Sequence, residues 1–186
     1  MQQSPLVLKA EETAKREHSR LNQTRSNGDP YWTHPQRVVQ SLVDAGVTDE
    51  TVLAAAWLHD VPEDCTKSRE ECEELIKRMA AEFSTEIAET VKQLTNWIPK
   101  GTPFPVKQAA LLEHARAMND RAKMIKVADR LDNLSGMETW PEFVQLRYAR
   151  AGLELISALD PIPEPAKGLA DSTIKKAKAI LTAKKD

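Results

Sequence analysis

The segment LAAAWLHDVPEDC, residues 53–65, concentrates side chains that can bind a metal or move a proton. His59 and Asp60 continue the apolar face of a predicted helix, and Glu63 and Asp64 follow at once. Four ionisable groups within six residues, two of them directed at the expected core, are unfavourable to bury unless another group pairs with them. A bound cation is the simplest such partner, so this segment predicts a metal site.

Two residues elsewhere in the chain could complete that site. His34 precedes Pro35 at a predicted helix start, so a rigid element would present its imidazole. Lys126, Asp129 and Asn133 fall at i, i+3 and i+7 of another predicted helix and therefore share one polar face. Two imidazoles and two carboxylates suit a borderline divalent ion such as Mn²⁺, Fe²⁺ or Zn²⁺, with water in the open positions.

The elements that would position these residues are all helical. Apolar residues recur at helical spacing along most of the chain, and no segment shows the sustained alternation of a strand. We predict helices over about 5–24, from Pro35 to near Gly46, and from Thr48 or Asp49 into residues 53–65, which we call the HD segment. Further helices are predicted within the periodic stretch 68–94 and, after a loop at 99–103, over about 105–118, 122–134, 141–159 and 166–183. The predicted fold is all-α, a single domain over 1–186 with its core at about 10–160 and C-terminal helices to 183.

Composition narrows the class of protein. The chain has 186 residues, 41% hydrophobic and 29% charged, with a formal net charge of −2, which argues against nucleic acid or an anionic membrane as partner. The only cysteines, Cys65 and Cys72, form neither a CxxC motif nor a disulfide framework. No stretch has the length and hydropathy of a signal peptide or a membrane span, so we expect a cytoplasmic protein with reduced thiols.

The order of His34, His59-Asp60 and Asp129 resembles that of the HD superfamily of metal-dependent phosphohydrolases. It is most similar to the hydrolase domain of RelA/SpoT proteins and their small single-domain homologues. The similarity extends over about residues 10–160, with HDVPED matching HDxxED and KVADRLDN matching KLADRxxN. The resemblance implies a helical HD fold and hydrolysis of the 3′-pyrophosphate of guanosine tetra- and pentaphosphate, usually with Mn²⁺.

The resemblance also implies roles for individual residues. The metal ligands would be His34, His59, Asp60 and Asp129. Glu63 and Asp64 would orient and deprotonate the attacking water or protonate the leaving group. The substrate contacts would be Arg25 and Tyr31, which would shape the base pocket, together with Lys126 and Asn133.

The chain departs from the family pattern at four positions. Pro62 stands where the family usually has an aliphatic residue, and Cys65 stands where it has Thr. Ser135 replaces a common Arg, which removes a cation from the pyrophosphate site, and Trp32 adds bulk beside His34. We expect one metal ion, because a second would need further histidines and the single candidate, His114, sits among apolar residues. His18, in a charged helix, is expected to be exposed.

Other interpretations stay open at this point. The same fold could support a nucleotidase acting on ordinary nucleotides, or a catalytically silent module that binds a nucleotide and signals. The intact Glu63-Asp64 pair argues against a silent module, which has no need to move a proton. In purely structural terms, His34 could cap a helix, and Glu63 and Asp64 could be solvated surface groups. The expected partner is a small-molecule nucleotide, and a homo-oligomer is compatible with the sequence.

Overall fold

The computed structural model describes residues 4–99 and 101–183, which form two compact units. The first unit ends at Trp97 and the second begins at Ile98. Within the described ranges every regular element is helical, and β-type pairing is limited to an isolated bridge between Thr24 and Pro30. The all-α prediction is confirmed, and the single domain stays a prediction. Lys100, in the predicted loop, and the ends of 1–186 lie outside the described residues.

Six helices make up the first unit. They are α1 (Pro5–Arg20), α2 (Thr33–Asp44), α3 (Glu50–Leu58), α4 (Val61–Asp64), α5 (Arg69–Glu82) and α6 (Thr85–Leu94). Side-chain oxygens cap several of their N-termini, where backbone N–H groups lack helical partners. Asp49 accepts from Thr51 at the start of α3, as its sequence position predicted, and Ser84 caps α6. Ser84 thereby divides the periodic stretch 68–94 into α5 and α6.

The centre of the first unit is α3, the helix that leads into the HD segment. Its side chains from Ala54 to Leu58 are at most 2% exposed, so it has no solvent face over this length. It is enclosed by α1, α2 and α6. Three consecutive alanines, Ala54, Ala55 and Ala56, contribute little volume and allow these neighbours to approach closely. The end of this buried helix is consequently a firmly held point in the unit.

The chain beyond α3 differs in one detail from the sequence-based expectation. A proline disfavours the α conformation at the residue before it, so the sequence predicts that Pro62 ends or kinks the helix at Val61. Helix α3 does end before it, at Leu58, but Val61 is the first residue of α4 and Pro62 the second. Proline is tolerated in a first helical turn, where its missing N–H has no helical partner. The N–H of Asp64 donates to the Asp60 carbonyl at 2.8 Å and closes this short helix.

The second unit contains α7 (Phe104–Arg116), α8 (Asp120–Ser135), α9 (Glu142–Ala158), a 3₁₀ turn (Glu164–Ala166) and α10 (Lys167–Ala183). Helix α9 packs against α7, α8 and α10, and α10 also contacts α8. Leu134, Met137, Ala149 and Ala177 form a buried cluster in this unit. Among the described residues of both units, none of the helices has the length and apolar character required to cross a membrane.

Candidate metal and catalytic site

His59 follows the last residue of α3 and is 2% exposed. Its Nδ1 lies 2.7 Å from the carbonyl oxygen of Ala56, one turn earlier. A carbonyl can only accept, so this contact assigns the proton to Nδ1 and leaves the lone pair on Nε2. Nε2 lies 3.2 Å from Oδ1 of Asp60. A backbone acceptor that fixes the tautomer in this way is typical of histidines that bind metals.

His34 lies in the first turn of α2 and is 1% exposed. Its Nε2 lies 3.4 Å from Oδ2 of Asp60, the other oxygen of the carboxylate that His59 faces. The two imidazole rings are 5.2 Å apart between centroids and meet edge to face. The first unit therefore brings His34, His59 and Asp60 together, with both imidazoles directed at one carboxylate.

Asp60 is ionised at this position. Burial alone would raise its pKa, but the two facing imidazoles, His59 first and then His34, outweigh burial and hold the pKa well below its usual value. The Tyr31 hydroxyl donates to Oδ2 of Asp60 at 2.8 Å. Burial, together with the nearby charges of Asp60 and Asp64, raises the pKa of Tyr31, so the phenol keeps its proton and acts as a donor.

The two carboxylates that follow the HD pair occupy different environments. Asp64 is half-buried beside Asp60, and burial followed by the charge of Asp60 raises its pKa to about 7. The neighbouring Tyr31 opposes that rise. Glu63 is exposed, and its Oε2 accepts from the backbone N–H of Asn96 at 3.0 Å. The pair predicted to handle protons thus consists of one half-buried group and one solvated group.

Arg25 and Tyr31 flank a closed turn between α1 and α2. The backbone N–H of Arg25 donates to the Asp29 carbonyl at 2.8 Å, and that of Gly28 donates to the Arg25 carbonyl at 2.9 Å. Gly28 has φ = +90°, a conformation that other residues adopt rarely. The structure therefore places Arg25 in the turn, half-buried, and Tyr31 at its exit beside the histidines.

In the second unit, Asp129 of α8 is 6% exposed and accepts hydrogen bonds from two side chains. Lys126 Nζ donates to its Oδ2 at 2.9 Å, and Asn133 Nδ2 donates to its Oδ1 at 2.5 Å. These are the i, i+3 and i+7 partners expected from the sequence. Two donors hold the carboxylate in one orientation.

Two of the departures from the family pattern, Ser135 and Trp32, make contacts with nearby groups. The Ser135 hydroxyl donates to the Leu131 carbonyl one turn earlier, within its own helix. Lys15 of α1 lies over the Trp32 ring, with Nζ 4.8 Å from its centroid, so the bulk of Trp32 packs against a neighbouring helix. His114 is half-buried on α7, in the second unit.

The expectation for His18 is wrong. This residue is fully buried, its ring centroid lies 4.8 Å from that of Tyr31, and its Nδ1 lies 2.6 Å from Oε1 of Gln23. The many charged residues of α1 suggested that His18 is exposed. The useful signal was the spacing of Ala10, Ala14 and His18 at i, i+4 and i+8, which places His18 on the buried face.

The donor groups of the first unit fit a divalent metal. Two buried imidazoles, one with its Nδ1 proton held by a carbonyl, and an ionised carboxylate together suit Mn²⁺, Fe²⁺ or Zn²⁺. Tyr31, which donates to Asp60, and the Ala56 carbonyl, which accepts from His59, are the kind of supporting contacts that orient ligands. HD-domain hydrolases bind a divalent metal ion.

Comparison with known proteins agrees with this chemistry. A family model described as the HD domain matches residues 10–159. A probable GTP pyrophosphokinase of Mycobacterium leprae is 36% identical over 156 residues, which are 83% of this chain and 19% of that protein. The chain thus spans about a fifth of such relatives. The guanosine-3′,5′-bis(diphosphate) 3′-pyrophosphohydrolase MESH1 of Xenopus tropicalis is 30% identical over 160 residues, 83% of this chain and 84% of that one.

A solved structure gives a further match. It is described as a metazoan orthologue of SpoT that hydrolyses ppGpp, and it aligns with a TM-score of 0.75 and 25% identity over 98% of this chain and 97% of the other. The family resemblance inferred from the motifs is therefore confirmed. The chain belongs to the HD domain family and is related over most of its length to the small 3′-pyrophosphohydrolases of that family.

Proposed function

We propose that this protein is a metal-dependent guanosine 3′,5′-bis(diphosphate) 3′-pyrophosphohydrolase. Hydrolysis of the 3′-ester would consume one water and yield GDP and pyrophosphate. The observation that carries the proposal is the convergence of His34, His59 and Asp60, with Asp64 beside them, in a chain related over most of its length to hydrolases of this name. The named activity of those relatives supplies the substrate.

The proposed ligands of one Mn²⁺ ion are His34, His59, Asp60 and Asp129. Support comes from the orientation of both imidazoles toward Asp60 and from the two donors that hold the buried Asp129 carboxylate. Mn²⁺ accepts such a mixture of nitrogen and oxygen ligands. When bound, the metal would supply positive charge to the phosphate oxygens and would make water more acidic.

Glu63 and Asp64 are the proposed proton-handling pair. Asp64 adjoins Asp60, so its carboxylate lies close to the ligand cluster and can accept a proton from the attacking water. Glu63 faces solvent and is anchored to the Asn96 backbone, which suits exchange of that proton with the medium. Tyr31 would keep Asp60 oriented through its hydroxyl.

The remaining proposed contacts are with the substrate. Guanosine tetraphosphate is strongly anionic, and arginine and lysine are the side chains that bind phosphates through charge-assisted hydrogen bonds. Arg25, in the turn beside Tyr31, is proposed to shape the base pocket with that ring. Lys126 and Asn133, which both donate to Asp129, are proposed to contact the phosphate or sugar.

The test is hydrolysis by Mn²⁺-loaded protein of guanosine tetraphosphate and of a panel containing GTP, GDP and GMP. The expected result is GDP and pyrophosphate in equal amounts from the tetraphosphate, separated by anion-exchange chromatography. Release of phosphate alone, or turnover of the ordinary nucleotides only, would refute the proposal and favour a general nucleotidase. Asp64→Asn should lose most activity, whereas Asp171→Asn, at an exposed position of α10, should keep it.

A further inference from the structure

A cluster of polar side chains links α1 to the site described above. His18, Gln23 and Cys65 meet through side-chain contacts. His18 Nδ1 is 2.6 Å from Gln23 Oε1, and Cys65 Sγ is 3.8 Å from the same oxygen and 3.6 Å from His18 Nδ1. His18 is fully buried, where an apolar side chain would avoid the unfavourable transfer of a polar group from water. The other contacts of the three residues indicate a reason for having polar side chains here.

Gln23 connects this cluster to Asp64, one of the two proposed proton-handling residues. Gln23 Nε2 donates to the backbone carbonyl of Asp64 at 2.8 Å. This bond orients the amide, so Oε1 faces His18 and accepts a hydrogen bond from its Nδ1–H. A glutamine from the turn after α1 thereby holds the backbone of the residue whose carboxylate adjoins Asp60. The second backbone bond at Asp64, from its N–H to the Asp60 carbonyl, lies within α4 itself.

His18 and Gln23 both contact Tyr31. The His18 ring packs on the Tyr31 ring at 4.8 Å between centroids, and the backbone N–H of Tyr31 donates to the Gln23 carbonyl at 2.9 Å. Tyr31 in turn donates its hydroxyl to Asp60. The same two residues, His18 and Gln23, thus support both Asp64 and the hydroxyl that orients Asp60.

We propose that His18 and Gln23 are positioning residues of the hydrolase site, which hold the Asp64 carboxylate and the Tyr31 hydroxyl at the angles that the reaction needs. The inference rests on the proposed function for its reaction, and on the contacts of the first unit for its geometry. Cys65 assists as a weak donor to Gln23, and burial, the largest cause, raises its pKa to about 12, so it remains a thiol.

The variants that test this separate hydrogen bonding from packing. Gln23→Met removes the amide and keeps a side chain of similar length. His18→Leu removes the Nδ1 donor, whereas His18→Asn retains an N–H donor at nearly the same place. Gln40→Met is the matched control, because Gln40 donates to Asp44 at an exposed position of α2 and has no bond to Asp64 or Tyr31 among the contacts described above.

Two readouts are measured on full-length protein at a temperature where circular dichroism shows every variant folded. The first is kcat and KM for guanosine tetraphosphate with Mn²⁺. A small displacement of a catalytic group lowers kcat by up to about 100-fold. We expect Gln23→Met and His18→Leu to lower kcat by about 10- to 100-fold with little change in KM. His18→Asn should restore most of the loss, and Gln40→Met should match the wild type.

The second readout is hydrogen–deuterium exchange of metal-free protein, followed in peptides that cover residues 59–66. Faster exchange there in Gln23→Met, with unchanged exchange in α2, is the expected result. Wild-type kcat in folded Gln23→Met, or an equal loss in His18→Leu and His18→Asn, would overturn the positioning role. If the wild type releases no pyrophosphate, the proposed function fails by itself, and unchanged exchange would separately refute the link to Asp64.

Discussion

The hydrogen bond between Tyr31 and Asp60 yields a quantitative prediction. Tyr31→Phe removes one hydroxyl and keeps the ring that packs against His18 and His34. The lost bond is 2.8 Å long and ends on an ionised carboxylate, which places it among the stronger hydrogen bonds of proteins. The variant should therefore fold normally but bind its metal less tightly, because Asp60 loses a group that orients it.

Two independent estimates give the size of the effect. A hydrogen bond to a charged group contributes about 1.5–3 kcal/mol. Since about 1.4 kcal/mol corresponds to a tenfold change in a binding constant, the dissociation constant should rise by about 10- to 100-fold. Loss of a residue that supports a metal ligand typically weakens metal binding by about the same factor.

Isothermal titration of chelator-treated protein with Mn²⁺ measures this constant directly. Tyr148→Phe is the matched control, since it removes the hydroxyl of the only other tyrosine and preserves the ring that contacts Arg130 and Trp140. Mn²⁺ affinity of Tyr31→Phe within twofold of the wild type would refute the reasoning. So would an equal weakening in both variants.

Three further predictions concern stability in the metal-free protein, measured by urea unfolding. Asn133→Ala should lower the free energy of unfolding by about 1–3 kcal/mol, because the buried Asp129 loses a donor, whereas Ser172→Ala on exposed α10 should have little effect. The contribution of His18 to stability should fall as the pH drops below 6.5, the ordinary pKa of histidine, because burial lowers the pKa of His18 and the unfolded chain takes up the proton first. The raised pKa of Asp64 acts in the opposite direction in both proteins, so the difference in slope between wild type and His18→Asn isolates His18, and equal slopes would contradict the assignment. Ala55→Leu should destabilise by about 1–3 kcal/mol, since α3 is enclosed on all sides, and a neutral result would mean that space exists beside it.

Local patterns were sufficient to predict the helices. Apolar spacing and capping residues such as Asp49 located the helix ends to within a few residues, because both signals act within one or two turns. The division at Ser84 was less evident, since the apolar periodicity of α5 runs on into α6 and only the capping serine marks the boundary. Val61 joined a helix despite the following proline, because Pro62 falls in the first turn of a new helix.

In the candidate site, too, features set by local helix geometry were predictable from the sequence, and long-range contacts were not. The alignment of Lys126, Asp129 and Asn133 follows from helix geometry alone, and the structure shows that the first and the last both donate to Asp129. The contacts of Tyr31 with Asp60 and of Gln23 with Asp64 join residues about 30 to 40 positions apart and have no periodic signature. Burial of His18 was missed because the charges on α1 concealed its apolar face. Long-range polar contacts of this kind require the folded structure.

The central claim is that one divalent ion is bound by His34, His59, Asp60 and Asp129. A crystal structure of the protein grown with Mn²⁺, with anomalous data collected at the manganese edge, tests it directly. A single strong anomalous peak coordinated by all four side chains is the expected result. A peak elsewhere, or an ion at the two histidines without Asp129 in its coordination shell, would contradict it.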